Sequence, residues 1–266
     1  MSNNGVVSPS TLDGIPDQKM TGNLSNSQLL IIMTLAPAIV IFLQIIISSN
    51  SKIDAASSST SSSLHYRRRI QHVLTGLIFY TLSFYLPFVV ASLLLIICTG
   101  AFYALHFFRS KSNAIQNVYM KFFGPLLRDH EKCVFTLPGA FWFLFGTMVT
   151  VIIFPMDIAR TSILCLSFGD PIAAIIGINV GGPGIVISTK RKSSGKTLSG
   201  SFACFCICYL VSYKCMGGSD LRLWLLTGYT AAMMEAIASY ISVDDNVLIP
   251  VGTGAAIWLW CRCINS

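Results

Sequence analysis

Residues 167–201 read SFGDPIAAIIGINVGGPGIVISTKRKSSGKTLSGS. The stretch opens inside an apolar run, with Asp170 set between Gly169 and Pro171. It passes Gly177, Gly181, Gly182 and Gly184, then the basic run Lys190, Arg191 and Lys192. It closes with Lys196, Thr197 and Gly200 at the start of a further apolar segment. Proline cannot donate the helix hydrogen bond and disfavours helix at the residue before it, so the spacing predicts a membrane helix interrupted at 168–171. Such an interruption is tolerated in a bilayer only where the freed backbone faces protein or a water-filled cavity.

The rest of the chain defines the solvent. Of 266 residues, 53% are hydrophobic and only 11% are charged, against about 25% charged in soluble domains. A helix needs ~20 mostly apolar residues to cross a bilayer, and such runs recur from residue 28 onward. We therefore expect an all-α, polytopic membrane helix bundle with about eight spans, one of them broken near Asp170. The spans fall near 28–47, 70–86, 88–108, 138–154, 157–178, 198–213, 221–241 and 248–260. Residues 1–27 read as a disordered polar tail, and 28–266 as one transmembrane domain. Residues 109–137 mix aromatics with Lys111, Lys121, Arg128 and Lys132, which suits a helix lying on the headgroups.

Charge assigns the sides. The formal charge is +7. When the loops 48–69, 109–137, 179–197 and 242–247 share one side, that side holds thirteen of the eighteen basic residues. The positive-inside rule makes it cytosolic. No aromatic-basic module for DNA or RNA stands out, so nucleic acid is not an expected partner. The nine cysteines and four histidines show no metal-ligand spacing.

With sides assigned, the polar candidates converge. Arg68, Arg69, His72, Asp170, Lys196, Thr197, Glu235, Asp245 and Asn246 all fall at the cytosolic end. A carboxylate within a span costs about 2.5–3.5 kcal/mol on insertion scales and marks function by default. Asp170 can serve as a metal ligand, as a general base toward a hydroxyl, or as a structural ion-pair partner. Glu235 has the same choice between a site and an interhelical pair. Asp157 and Arg160 sit three apart at the far side and read as a structural pair. The arginines before His72 serve equally well as topology anchors. Ser194-Gly195-Lys196-Thr197 looks like the tail of a P-loop, but Lys190 stands where that motif needs glycine, and no strand precedes it. Lys196 at a helix start can still bind phosphate. An acid, flexible backbone and clustered cations at one membrane surface point to the handling of a phosphorylated ligand.

Four motifs in order resemble the CTP-dependent membrane lipid-alcohol kinases, which comprise dolichol kinase, phytol kinase and the fungal-type diacylglycerol kinase. They are Arg68-Arg69-Ile70-Gln71-His72 with Gly76; Leu166-Ser167-Phe168-Gly169-Asp170-Pro171-Ile172-Ala173-Ala174 with Gly177; Gly195-Lys196-Thr197-Leu198-Ser199-Gly200-Ser201; and Glu235 with Asp245-Asn246. The resemblance implies transfer of a nucleotide γ-phosphate, with CTP as donor and a divalent cation (Mg or Ca), to the hydroxyl of a membrane lipid. It implies catalytic roles for Asp170, Arg69, His72, Lys196 and Glu235. Arg68, Gly177, Gly181, Lys190, Lys192, Thr197, Gly200 and Asn246 would contact nucleotide or phosphate, and Asp170 and Asp245 the metal. The FP-x-DIA element at 154–159 looks like the diacylglycerol branch, giving phosphatidate. Dolichol, polyprenol or phytol is the alternative acceptor, and a CTP-using cytidylyltransferase is the alternative reaction. The family expectation is the endoplasmic reticulum, with the active face cytosolic.

Overall fold

The computed structural model describes residues 60–124, 127–181, 183, 196–217 and 220–264, with isolated positions between 25 and 39. The polar tail, most of the first expected span, Gly182, Gly184 and the basic run with Lys190 and Lys192 lie outside the described residues.

The described elements are helical. In chain order they are α1 (Thr60–Leu82), α2 (Phe88–Lys111), α3 (Asn113–Phe123), a single 3₁₀ turn (Asp129–Lys132), α4 (Gly139–Ile153), α5 (Met156–Asn179), α6 (Leu198–Met216), α7 (Leu221–Ile241) and α8 (Asp245–Ile264). By length and composition α2, α5, α6 and α8 can cross a membrane, and α4 is a shorter apolar helix. Helix α3 occupies the segment expected to lie on the headgroups. It buries Tyr119 and exposes Val118 and Phe122.

Prolines and polar caps set the helix starts. Pro87, Pro138 and Pro155 stand immediately before α2, α4 and α5, where a missing N–H is no loss because the first helical amides have no intrahelical partner. The Thr197 hydroxyl caps α6 by accepting from the Gly200 amide, and the Asp220 carboxylate caps α7 by accepting from the Arg222 and Leu223 amides. Just past α5, Gly181 takes a φ of +69°, the left-handed conformation in which helices often stop and which glycine adopts without steric cost.

The structure corrects one expectation. Helix α5 is not broken at 168–171 but runs unbroken from Met156 to Asn179, with Pro171 inside it. The loss is one backbone hydrogen bond. It falls in a helix packed on α1, α6 and α8, and Pro171 itself is fully buried. Helix α8 likewise continues through Pro250. Contacts on several sides hold the chain helical where propensity alone would end it.

Helix α5 is the centre of the bundle. Its partners approach closely because small residues stand at the crossings, as is common where van der Waals contact drives helix association in lipid. A side chain at Gly76 of α1 would collide with Ser167 of α5, and one at Gly169 would collide with the Cys208 sulfur of α6. A Cβ at Gly200 of α6 would lie 2.6 Å from the Ala173 carbonyl oxygen of α5, and one at Gly146 of α4 would lie 2.1 Å from the Asn246 carbonyl oxygen of α8. Phe143, Cys165, Leu166, Cys204, Cys208 and Ile249 form the core between these helices. At the far end, Arg160 pairs with Asp157 at 2.9 Å, as their spacing predicts, and donates to the Ser83 hydroxyl and carbonyl of α1.

Candidate functional site

The crossing pattern of α5 determines which polar groups meet. Lys196, just before α6, is the hub. Its Nζ lies 2.6 Å from Glu235 Oε1 of α7 and 2.9 Å from Asp245 Oδ2 at the start of α8. The second Glu235 oxygen accepts from Ser201 Oγ at 2.8 Å. The Lys196 side chain is 18% exposed, while those of Glu235 and Asp245 are 4% and 11% exposed. Burial works against the Lys196 charge, but the carboxylates of Asp245, Asp170 and Glu235 outweigh it and hold the ammonium above the usual lysine range. The pairing is reciprocal: without Lys196, two acids from different helices would face each other with no cation between them.

Asp170 lies on the same end of α5. Among the described residues no hydrogen bond and no ion pair within 4 Å involves its carboxylate. Its charge nonetheless acts on Arg68, Arg69, His72, Arg128 and Lys196. The structure therefore gathers Arg68, Arg69, His72, Asp170, Lys196, Glu235, Asp245 and Asn246 at one end of the bundle, as expected from the sequence.

Arg68 meets a partner that the sequence reading did not single out. Its Nη1 lies 3.5 Å from Glu131 in the 3₁₀ turn. Glu131 is buried and also accepts from the Arg128 amide at 2.9 Å and the Gly139 amide at 3.1 Å. Arg109, buried at the end of α2, donates to the carbonyls of Glu131 and Cys133 and lies 4.5 Å over the Tyr119 ring. Arg109 thus pins the turn that presents Glu131 to Arg68. Arg109 is a structural clamp. The signal for Glu131 was weak, since a Glu in a polar connection is ordinarily solvated.

The glycines and Thr197 have packing roles. A Cβ at Gly177 would lie 2.7 Å from Thr197 Oγ1. Gly200 abuts the Ala173 carbonyl, Thr197 caps α6, and the carbonyl of Gly181 accepts from the Ser199 hydroxyl. These contacts fix the entry of α6, and hence Lys196, against the end of α5.

A cavity of about 380 Å³ adjoins this cluster. Its walls are apolar residues of α1, α2 and α4, among them Phe79, Leu95, Phe102, Phe143 and Val151. Arg68, Gln71, His72, Glu131 and Asn246 close one end, and Ser83, Leu86 and Met156 lie toward the other. From Arg68 to Leu82 along α1 the slot extends roughly 21 Å at the helical rise. Two buried polar atoms at its charged end lack partners, His72 Nε2 and Asn246 Oδ1. The His72 ring packs edge-on to Phe143, with centroids 4.6 Å apart. A long apolar slot that ends on unsatisfied polar atoms beside clustered charges suits an amphiphile with one polar end.

Comparison with known proteins agrees. The CTP-dependent diacylglycerol kinase 1 of Schizosaccharomyces pombe is 30% identical over 161 residues, covering 55% of this chain and 70% of that protein. The chain belongs to the CTP-dependent lipid kinase family. The enzyme of the same name from Eremothecium gossypii is 29% identical over 161 residues, 52% of this chain and 48% of that protein. An uncharacterized protein of Rickettsia prowazekii is 27% identical over 190 residues, 70% of this chain and 89% of that protein. No family model matches the chain, and no solved structure does.

A lipid kinase needs a counter-charge for phosphates, and a divalent cation commonly supplies part of it. No group of three or more His, Cys, Asp or Glu able to hold a metal occurs among the described residues. The donors that are present, Asp170, Asp245 and the orphaned Asn246 Oδ1, are hard oxygens. They fit Mg²⁺, which often binds through one or two carboxylates together with substrate phosphates and water.

Asp244 brings a pH dependence. Burial and the adjacent Asp245 charge push its carboxyl up to about 6, against the Asn246 amides that donate to Oδ1. Between about pH 4 and 6 the folded state therefore keeps a proton that the unfolded chain has lost, and this contribution to stability fades as pH rises through 6. Asp244→Asn, fixed neutral, is expected to gain stability relative to wild type as pH rises from about 5 to 7.5. Melting midpoints in detergent across that range test this, and a constant difference would contradict it.

Proposed function

We propose that this kinase transfers the γ-phosphate of CTP to the hydroxyl of diacylglycerol, giving phosphatidate and CDP. The observation that supports the reading is the apolar slot whose polar end is lined by Arg68, His72 and Asn246, with Asp245 next to Asn246 in sequence and paired with Lys196. The relatives' names supply the donor and acceptor classes. In this reading the acyl chains lie along α1, α2 and α4, and His72 Nε2 orients the hydroxyl at the slot's end. The hydroxyl oxygen attacks the γ-phosphorus, the bond to the β-phosphate oxygen breaks, and Asp170 takes the hydroxyl proton.

Lys196, Arg68 and Arg69 neutralise phosphate charge, with Lys190 and Lys192 of the adjoining basic run as further candidates. Glu235 holds Lys196 in place. Asp245 and Asn246 Oδ1, with Asp170, would hold a divalent cation, whose chemistry is to neutralise charge developing between the β- and γ-phosphates. The eight-span topology expected from the sequence, with the positive-inside rule, supports a cytosolic position for this end, and the endoplasmic reticulum is the proposed membrane.

The test is purified protein with CTP labelled at the γ- or α-phosphate, and with diacylglycerol, dolichol and phytol. Transfer of γ-label to diacylglycerol is expected. Label only on an isoprenoid alcohol would reassign the acceptor, and transfer of α-label would make the enzyme a cytidylyltransferase.

A further inference from the structure

The structure assigns a specificity role to Thr147 of α4: its hydroxyl donates to an ester carbonyl of the bound acylglycerol. This rests on the slot being the acceptor-lipid site. Buried hydroxyls in helices usually return to the carbonyl one turn earlier. Thr150, Thr161, Ser162, Ser167, Thr227 and Thr253 all do so, at 2.7–2.9 Å. Thr147 does not. It is fully buried, it lines the slot, and its Oγ1 has no partner. Ser92 and Thr99 of α2 also lack partners, but neither lines the slot.

Depth gives the orphaned donor its meaning. Phe143, whose ring meets His72, stands one turn before Thr147, so Thr147 lies roughly 6 Å deeper along α4. Gly146, its neighbour in sequence, touches the backbone of Asn246. A lipid with its hydroxyl at His72 and Asn246 therefore places atoms a few bonds away beside Thr147. In an acylglycerol those atoms include an ester carbonyl, a good acceptor. In a polyprenol or phytol they are hydrocarbon, and the Thr147 hydroxyl stays unpaired. A site built around a donor discriminates against the analogue that lacks the acceptor.

The measurement is kcat/KM in mixed micelles for diacylglycerol and for the dialkyl ether analogue with the same chains. Wild type is expected to favour the ester about tenfold. The isosteric Thr147→Val should reduce that preference to about twofold or less, and Thr147→Ser should keep it. Thr150→Val, which removes a hydroxyl satisfied within its own helix, should leave the preference unchanged. Equal use of ester and ether by wild type, or an undiminished preference in Thr147→Val, would overturn the role of Thr147 while leaving the kinase reading intact. Phosphorylation of neither lipid would overturn the acceptor site itself.

Discussion

Replacing Lys196 by methionine is expected to lower lipid phosphorylation by about 10²–10³-fold or more, the range seen when one preorganised electrostatic contact to a transition state is removed. The same substitution should also destabilise the protein. It leaves Glu235 and Asp245 buried without their shared cation, and stripping one partner from a buried pair costs about 3–5 kcal/mol. The two effects separate in the double variant Lys196→Met/Glu235→Gln. Neutralising Glu235 removes one of the stranded charges, so the double variant should recover part of the lost melting temperature and none of the activity. Recovery of activity with stability would mean that Lys196 serves the fold alone. Activity with γ-labelled CTP and melting in detergent, measured on the same preparations, decide between the two.

Asp170→Asn is expected to be inactive, with a loss above about 10³-fold, and yet folded. No hydrogen bond or ion pair to Asp170 occurs among the described residues, so amidation breaks no described contact. Its melting midpoint should stay within a few degrees of wild type, as expected for a change of about 1 kcal/mol. An inserted, stable and inactive protein would show that the charge is kept for chemistry, at a cost to the membrane helix of the order of 2.5–3.5 kcal/mol on insertion scales. A collapse in stability would instead identify Asp170 as a structural partner for the cations around it.

Helix positions were legible in the sequence because each depends on local hydropathy. The expected spans at 88–108, 157–178, 198–213 and 221–241 coincide with α2, α5, α6 and α7 to within a few residues. The interior polar groups were legible for the same reason: Asp170 and Glu235 are conspicuous only because everything near them is apolar. Side assignment then brought Arg68, His72, Lys196 and Asp245 to one end without any knowledge of contacts, since alternation of spans requires it.

Other features depended on neighbours that no local pattern encodes. Pro171 does not break α5, because α1, α6 and α8 pack around it. Glu131 is held where it is by local amides of Arg128 and Gly139 and by two arginines from other helices, Arg68 at its carboxylate and Arg109 at its carbonyl, which no local pattern announces. The family resemblance implies nucleotide or phosphate contacts for Gly177 and Gly200, and the structure adds that both stand where α5 and α6 cross closely. The slot is a property of how α1, α2 and α4 are spaced, and the orphaned hydroxyl of Thr147 is visible only against it. The sequence by itself determined the apolar helices, four of them long enough to cross a membrane among the described residues, and the end of the bundle at which charge collects, because burial cost is local and additive along a helix. Only the tertiary structure decided that Lys196 joins Glu235 to Asp245 and that the slot ends on His72 and Asn246, because ion pairs and cavities depend on distances between helices.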